Sequence, residues 1–437
     1  MKTPISDIIN WTRDARKRTI EIVSDIPDEK MLDKQIDIIN PWLWEIGHAA
    51  WFQERWVLRH CLGKEPIRAD ADSLYDSSAV PHDTRWNLPL PSRDETIKYM
   101  RNVCEAVCEQ LESNPTDDDL IYFALLSIFH EDMHAEAFTY TRQTLEYPPL
   151  KFSANSTGSL SNKSANSDQS QKSARGFVEL SGGSFMLGAN KEALFAFDNE
   201  KWEHEVNVKP FSISRTAVTQ NEFAEFVDDN GYKRSNLWSD KGKLWLAQSG
   251  AEQPLYWKRD DSGKWLRRFF DRWVDLEPEI AMIHVNYFEA EAYCHWKGVR
   301  LPTEAEWEFA ASANHDSNSK RLYPWGNEAP APAQANMNWE NRGCISVDEL
   351  SDGDSESGCR QMIGNVWEWT ESDFLPFPGF VLDPYKEYSE PWFETRKVLR
   401  GGSWATRSRL IRNTWRNFYE PHRRDVWSGF RVCLVAE

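Results

Sequence analysis

The chain has 437 residues, enough for two or three domains, and its 69 acidic against 51 basic side chains leave a net charge of −18. That excess excludes nucleic-acid binding by general electrostatics, and a composition 40% hydrophobic and 13% aromatic excludes a disordered chain. No apolar run approaches the ~20 residues that cross a bilayer, residues 1–10 lack a basic-then-apolar leader, and seven scattered cysteines make no disulfide framework; the expectation is a soluble, cytoplasmic protein without membrane or nucleic-acid partners.

The first 152 residues read as helical. Residues 5–24 carry Ile8, Ile9, Ile20 and Ile22 among charges, and a second helix opens at Asn40-Pro41 and runs to about Arg59. Residues 93–111 and 119–145 supply two more, the last with Leu125, Leu126, Phe129 and Met133 at helical spacing. Four such helices predict an up-and-down bundle, whose facing side chains can build a metal site. Cys104 and Cys108 share a helix face and read as buried thiols.

Residues 153–176, SANSTGSLSNKSANSDQSQKSARG, hold almost nothing apolar and predict a flexible linker or surface loop. Residues 177–437 have the opposite texture to the bundle. Short strands at 177–180, 184–187 and 204–208 alternate with turns, helices follow at 221–229 and 287–297, and long tryptophan-studded stretches come after. The fold class is α+β.

The chemical centre is His130-Glu131-Asp132-Met133-His134. Residues four apart on a helix share a face, so both imidazoles point the same way and form half a transition-metal site. The string also fits H-E-x-x-H, in which the glutamate of a zinc hydrolase activates water. Among ten histidines, His48 is the best third ligand, because it lies mid-helix beside the small Ala49 and Ala50. Three neutral donors leave about three positions of an ion open, which suits O2 and substrate better than structural zinc does.

Several ordered strings carry a resemblance. Gly182-Gly183-Ser184-Phe185-Met186, Arg300-Leu301-Pro302-Thr303-Glu304, Gly364-Asn365-Val366-Trp367-Glu368-Trp369, Leu399-Arg400-Gly401-Gly402-Ser403 and Gly429-Phe430-Arg431 resemble the formylglycine-generating-enzyme (sulfatase-modifying factor) domain, a variant of the C-type-lectin fold. Most of these residues read as structural. The first 152 residues resemble a DinB-like bundle with a three-histidine iron site. Together the halves are similar to the ergothioneine sulfoxide synthases and the related selenoneine synthases. In that family Fe(II) uses O2 to join sulfur or selenium to the imidazole C2 of hercynine, the trimethylated betaine of histidine. The resemblance puts His48, His130 and His134 at the positions of the iron ligands.

Departures from the family pattern narrow the expectation. Thr414-Trp415-Arg416 stands where formylglycine-generating enzymes carry a cysteine pair, which counts against sulfatase cysteine oxidation. Met133 and Asn417-Phe418-Tyr419 replace the glutamine and Asn-Trp-Asp run of the thiol-using enzymes, pointing to the selenoneine branch with a selenosugar donor, against cysteine or γ-glutamylcysteine. For hercynine, Phe418 and Tyr419 are the candidate aromatic faces for the trimethylammonium, and Asn417 can hydrogen-bond the imidazole. Arg423 and Arg93 are candidates for an anionic group on the donor. The family's active-site tyrosine is expected at Tyr419 or within 380–388, with Tyr385 as the candidate there. Alternatives left open are the H-E-x-x-H zinc hydrolase and a lectin-like binding module.

Overall fold

The computed structural model describes residues 3–151, 175–313 and 320–435. All but the last two residues of the Ser/Asn-rich 153–176 segment, read above as a linker, lie outside that set. The chain divides into two compact units, Met1–Thr141 and Arg142–Glu437.

In the first unit, helices α1 (Ile5–Val23), α2 (Trp42–Gln53), α3 (Ala71–Tyr75), α4 (Arg93–Ser113) and α5 (Asp118–Thr144) follow in order, and α5 runs on past the unit boundary. α4 packs against both α1 and α2. It starts where sequence chemistry sets it: Ser92 caps the Glu95 N–H while the Glu95 carboxylate accepts from the Ser92 N–H. The expected cap at Asn40 is not used. α2 begins one residue after Pro41, and Asn40 Oδ1 instead accepts from the Arg85 guanidinium at 2.6 Å. α2 is buried along its whole length, which is why its polar residues must find partners inside the unit. Past Gln53 it widens into a π-helix, Glu54–Cys61, a rare form frequent at functional sites. Cys104 and Cys108 are buried and free, as read.

The second unit begins with β1 (Phe177–Leu180), β2 (Gly183–Leu187), β3 (His204–Val208) and β4 (Phe211–Ser214), close to the predicted strands. Then come α6 (Gln220–Asp228), α7 (Asp240–Ser249), a meander β5 (Trp257–Arg259), β6 (Trp265–Phe269), β7 (Arg272–Asp275), and α8 (Tyr287–Lys297). β8 (Val299–Arg300), α9 (Glu304–Ser312), β9 (Trp367–Asp373), β10 (Lys397–Arg400), β11 (Asn417–Tyr419), β12 (Ser428–Gly429) and β13 (Cys433–Leu434) complete it. Two four-stranded sheets, β1-β4-β13-β8 and β11-β10-β9-β12, carry the architecture. Elements missed by the sequence reading, α7, α9 and the meander, lack the clean periodicity that the others show.

The motif strings prove to be the frame of this unit. Thr303 caps α9 with Glu306 closing the box. Arg431 makes a bidentate pair with Glu368 (2.6 and 2.8 Å), which also accepts from the Trp307 indole at 2.7 Å. Arg400 reaches Glu308 at 2.5 Å, and Arg416 reaches Glu304 at 2.8 Å. A fold with so little regular backbone satisfies its interior through such charged pairs. Gly401, at φ +94°, has no room for a side chain: a Cβ would lie 2.5 Å from the Met362 carbonyl oxygen.

Candidate metal centre

The three histidines predicted as ligands converge. His48 projects from the middle of α2, His130 and His134 project from α5 one turn apart, and ligand nitrogens of the three lie within 4.8 Å of one another. His48 and His130 are buried and His134 is part-exposed. Their rings are held by stacking, Trp44 parallel to His48 at 4.8 Å and Phe52 parallel to His130 at 3.5 Å. Burial pushes His48 and His130 well below the ordinary histidine range, with the neighbouring imidazoles adding to the effect. Both are therefore neutral at neutral pH, the form that offers a lone pair to a cation.

Hydrogen bonds fix the tautomers. His48 Nδ1 lies 2.8 Å from the Tyr75 carbonyl oxygen, which can only accept, so Nδ1 carries the proton and Nε2 is the ligand atom. His134 Nδ1 donates to the Glu45 carboxylate at 2.7 Å, with the same consequence. This is the outer arrangement that metal-bound histidines require. The donor set fits a transition ion: three imidazole nitrogens and no thiolate, with coordination positions left for other ligands.

α3 exists to support α2. Trp44 Nε1 donates to the Leu74 carbonyl (2.6 Å), His48 to Tyr75 and Trp51 Nε1 to Asp72 (2.7 Å), so three side chains of one α2 face hold the short helix α3. Gly47 makes the approach possible. A Cβ there would sit 2.2 Å from the Tyr75 ring.

Glu131, the water-activating residue of the H-E-x-x-H reading, is engaged elsewhere. Its carboxylate is 3.0 Å from the Arg16 guanidinium, both side chains are almost fully buried, and Arg16 also binds Gln53 Oε1 and the Met100 carbonyl. One residue past His130 is 100° around the helix, and here that turn takes the carboxylate into a buried ion pair with α1.

The remaining predicted residues are scattered in role. Arg93, expected to meet an anionic group of the donor, donates to the carbonyls of Val23 and Ile26, at 2.7 and 2.6 Å, beside the end of α1. Arg423 is held bidentate by Asp425 at 2.7 Å and lies over the Tyr419 ring. Asn417, Phe418 and Tyr419 form β11, paired with β10. Alternation in an extended strand puts Asn417 and Tyr419 on one face and Phe418 on the other. Phe418 stacks on Phe374 at 4.1 Å and meets Tyr388 edge-on, so Phe418 and Tyr419 do not form one cage. Tyr385 is half-buried beside Tyr388, with ring centroids 6.1 Å apart. Sequence reasoning missed Glu45, Trp44, Tyr75 and Arg85. A carboxylate three residues before a ligand histidine, hence on its face of the helix, was the signal for Glu45.

A three-histidine bundle joined to a lectin-like α+β domain defines a class of two-domain metalloprotein, and comparison with known proteins agrees with it. The DinB superfamily matches residues 12–137, and the sulfatase-modifying factor enzyme 1-like domain matches residues 162–436. The hercynine oxygenase of Mycolicibacterium thermoresistibile is 34% identical over 428 residues, covering 96% of this chain and 93% of that protein. The hercynine oxygenase of Mycobacterium tuberculosis is 35% identical over 423 residues, 96% of each chain. A formylglycine-generating enzyme from Streptomyces coelicolor is 29% identical over 255 residues, 53% of this chain and 80% of that one. The chain belongs to the hercynine oxygenase family, which makes it an oxidoreductase. No helix among the described residues is long and apolar enough to cross a membrane.

Proposed function

We propose that the protein is an Fe(II)- and O2-dependent enzyme that joins selenium from a selenosugar to the imidazole C2 of hercynine. The observation that carries the iron assignment is the set of three converging imidazoles, with the Nε2 atoms of His48 and His134 freed by Nδ1 bonds. A bound Fe(II) supplies O2 activation, which none of the protein's own side chains can provide. For a selenol or thiol donor the reaction balances with one C2–H and one chalcogen–H bond lost. One carbon–chalcogen and one chalcogen–oxygen bond form, and the second oxygen atom leaves as water.

The chain's own residues have separate tasks. His48, His130 and His134 hold the metal. Within the second unit, Asn417 and Tyr419 share a strand face on which Asn417 can bind an imidazole and Tyr419 a quaternary ammonium. Tyr419 and Tyr385 are the groups assigned to proton delivery, and Arg423, already carrying Asp425, is assigned to orienting the donor. Selenium rather than sulfur is favoured by Met133 and by Phe418-Tyr419, which remove a polar and an acidic group where thiol-using relatives have them.

The second reading keeps the iron chemistry and takes cysteine or γ-glutamylcysteine as donor; the identity to hercynine oxygenases along 96% of the chain favours it. Anaerobic loading with Fe(II), followed by hercynine, O2 and a donor, tests the common core by mass spectrometry of the product. An adduct gaining the chalcogen at the imidazole ring is expected; an unmodified hercynine with every donor overturns the assignment.

A further inference from the structure

The outer partners of His48 and His134 are unlike. His134 Nδ1–H points at an anion, the Glu45 carboxylate, at 2.7 Å, and that side chain is almost fully buried. A carboxylate accepting this proton pushes electron density toward Nε2 and strengthens it as a donor. His48 gives its proton to a neutral carbonyl. On its other side it stacks on Trp44 at 4.8 Å, and the Arg85 guanidinium lies 3.9 Å over the centre of that same indole. Arg85 is buried and fixed by Asn40 Oδ1 and the Val80 carbonyl, so its charge cannot swing out to water. In an interior of low dielectric neither charge is screened as it would be at a surface.

We propose that Glu45 is a positioning residue that makes His134 a stronger donor than His48, while Arg85, acting through Trp44, keeps His48 the weaker of the two. The inference rests on the reading of the triad as an iron site. Two charges of opposite sign, Glu45 one ring and Arg85 two rings removed from a ligand nitrogen, have opposite effects on the higher oxidation state. Glu45 favours the ferric ion and Arg85 disfavours it. Glu45 and His48 sit three residues apart on α2, so one helix positions both one ligand and the residue that orders another.

The test compares wild type, Glu45→Gln and Arg85→Met, each checked for native circular dichroism without metal. Co(II) and Fe(II) affinities are measured anaerobically by chelator competition, and the ferric/ferrous midpoint potential by titration. Loss of such an outer partner typically weakens metal binding about 10–100-fold, and that loss is expected for Glu45→Gln, with a midpoint moved positive. Arg85→Met should move the midpoint negative. Glu45→Gln with the affinity and midpoint of wild type, or the two variants shifting the midpoint in the same direction, overturns the proposal. Should Glu45→Gln not fold, Glu45→Asp replaces it: keeping the charge but losing the contact must lower affinity and leave the midpoint near wild type, and unchanged affinity overturns the proposal. A wild-type protein that takes up neither metal overturns the reading of the triad itself, and the inference with it.

Discussion

Glu131 and its neighbours His130 and His134 separate two chemistries at the level of single residues. In a water-activating role the carboxylate would have to face the metal, but it pairs with Arg16 inside the bundle. Removing one partner of a buried pair leaves the other charge uncompensated and costs about 3–5 kcal/mol. Glu131→Gln should therefore lower unfolding stability by roughly that amount while metal stoichiometry stays at wild type, measured by denaturant unfolding and metal analysis of the folded fraction. Loss of activity at full metal loading and full stability would return Glu131 to the chemistry. The ligands behave in the opposite way. His48→Ala, His130→Ala and His134→Ala should each abolish O2-dependent product and sharply weaken Fe(II) binding, because two nitrogens hold the ion poorly. Stability without metal should also fall at His134, by about 1–3 kcal/mol, since His134→Ala leaves the buried Glu45 carboxylate without the Nδ1–H it accepts.

Among elements, the clamp between α2 and α3 is the most exposed to a small change. Gly47→Ala gains up to about 1 kcal/mol of helix propensity, but its methyl would meet the Tyr75 ring at 2.2 Å, and overpacking of that kind costs about 1–3 kcal/mol. The net expectation is lower stability and weaker metal binding, because a displaced Tyr75 takes with it the carbonyl that orients His48; calorimetry with and without metal checks both. In the second unit, the turn at Asp198–Glu200 is tied to Ser389, whose hydroxyl donates to Asp198 at 2.5 Å. Burial pushes the Asp198 carboxyl up to about 6 from 3.8. The folded chain thus holds a proton that the unfolded chain has already released, and stability falls as pH rises from about 4 to 6, by on the order of 3 kcal/mol. Asp198→Asn should flatten that slope in denaturant midpoints taken at pH 4.5 and 7. Neither tie was visible in the chain, because Asp198 and Ser389 are 191 residues apart and carry no motif in common. What was visible has a physical pattern. The i, i+4 spacing of His130 and His134 states a shared face in one dimension. Glu45 against His134, Arg85 against Trp44 and Phe418 against Phe374 depend on packing between distant segments, and periodicity is silent about those.

For the whole molecule, the net charge of −18 bears on the donor. A chain so acidic surrounds itself with a negative potential that repels anionic substrates and falls off within a Debye length of about 8–10 Å at ordinary salt. γ-Glutamylcysteine carries two carboxylates and one ammonium, so it approaches against that field; a neutral selenosugar does not feel it. Within the second unit the arginines placed to compensate are already paired, Arg423 with Asp425 and Arg416 with Glu304. A single reaction holding hercynine, a selenosugar, cysteine and γ-glutamylcysteine in equal amounts should therefore yield the carbon–selenium product predominantly. The KM for the selenosugar should hold steady as salt rises from low to moderate ionic strength, while the KM for γ-glutamylcysteine falls as screening removes the repulsion. A dominant hercynine–cysteine or hercynine–γ-glutamylcysteine sulfoxide, formed with a KM indifferent to salt, would mean that the missing acidic and polar groups reflect repacking alone and that sulfur is the natural donor.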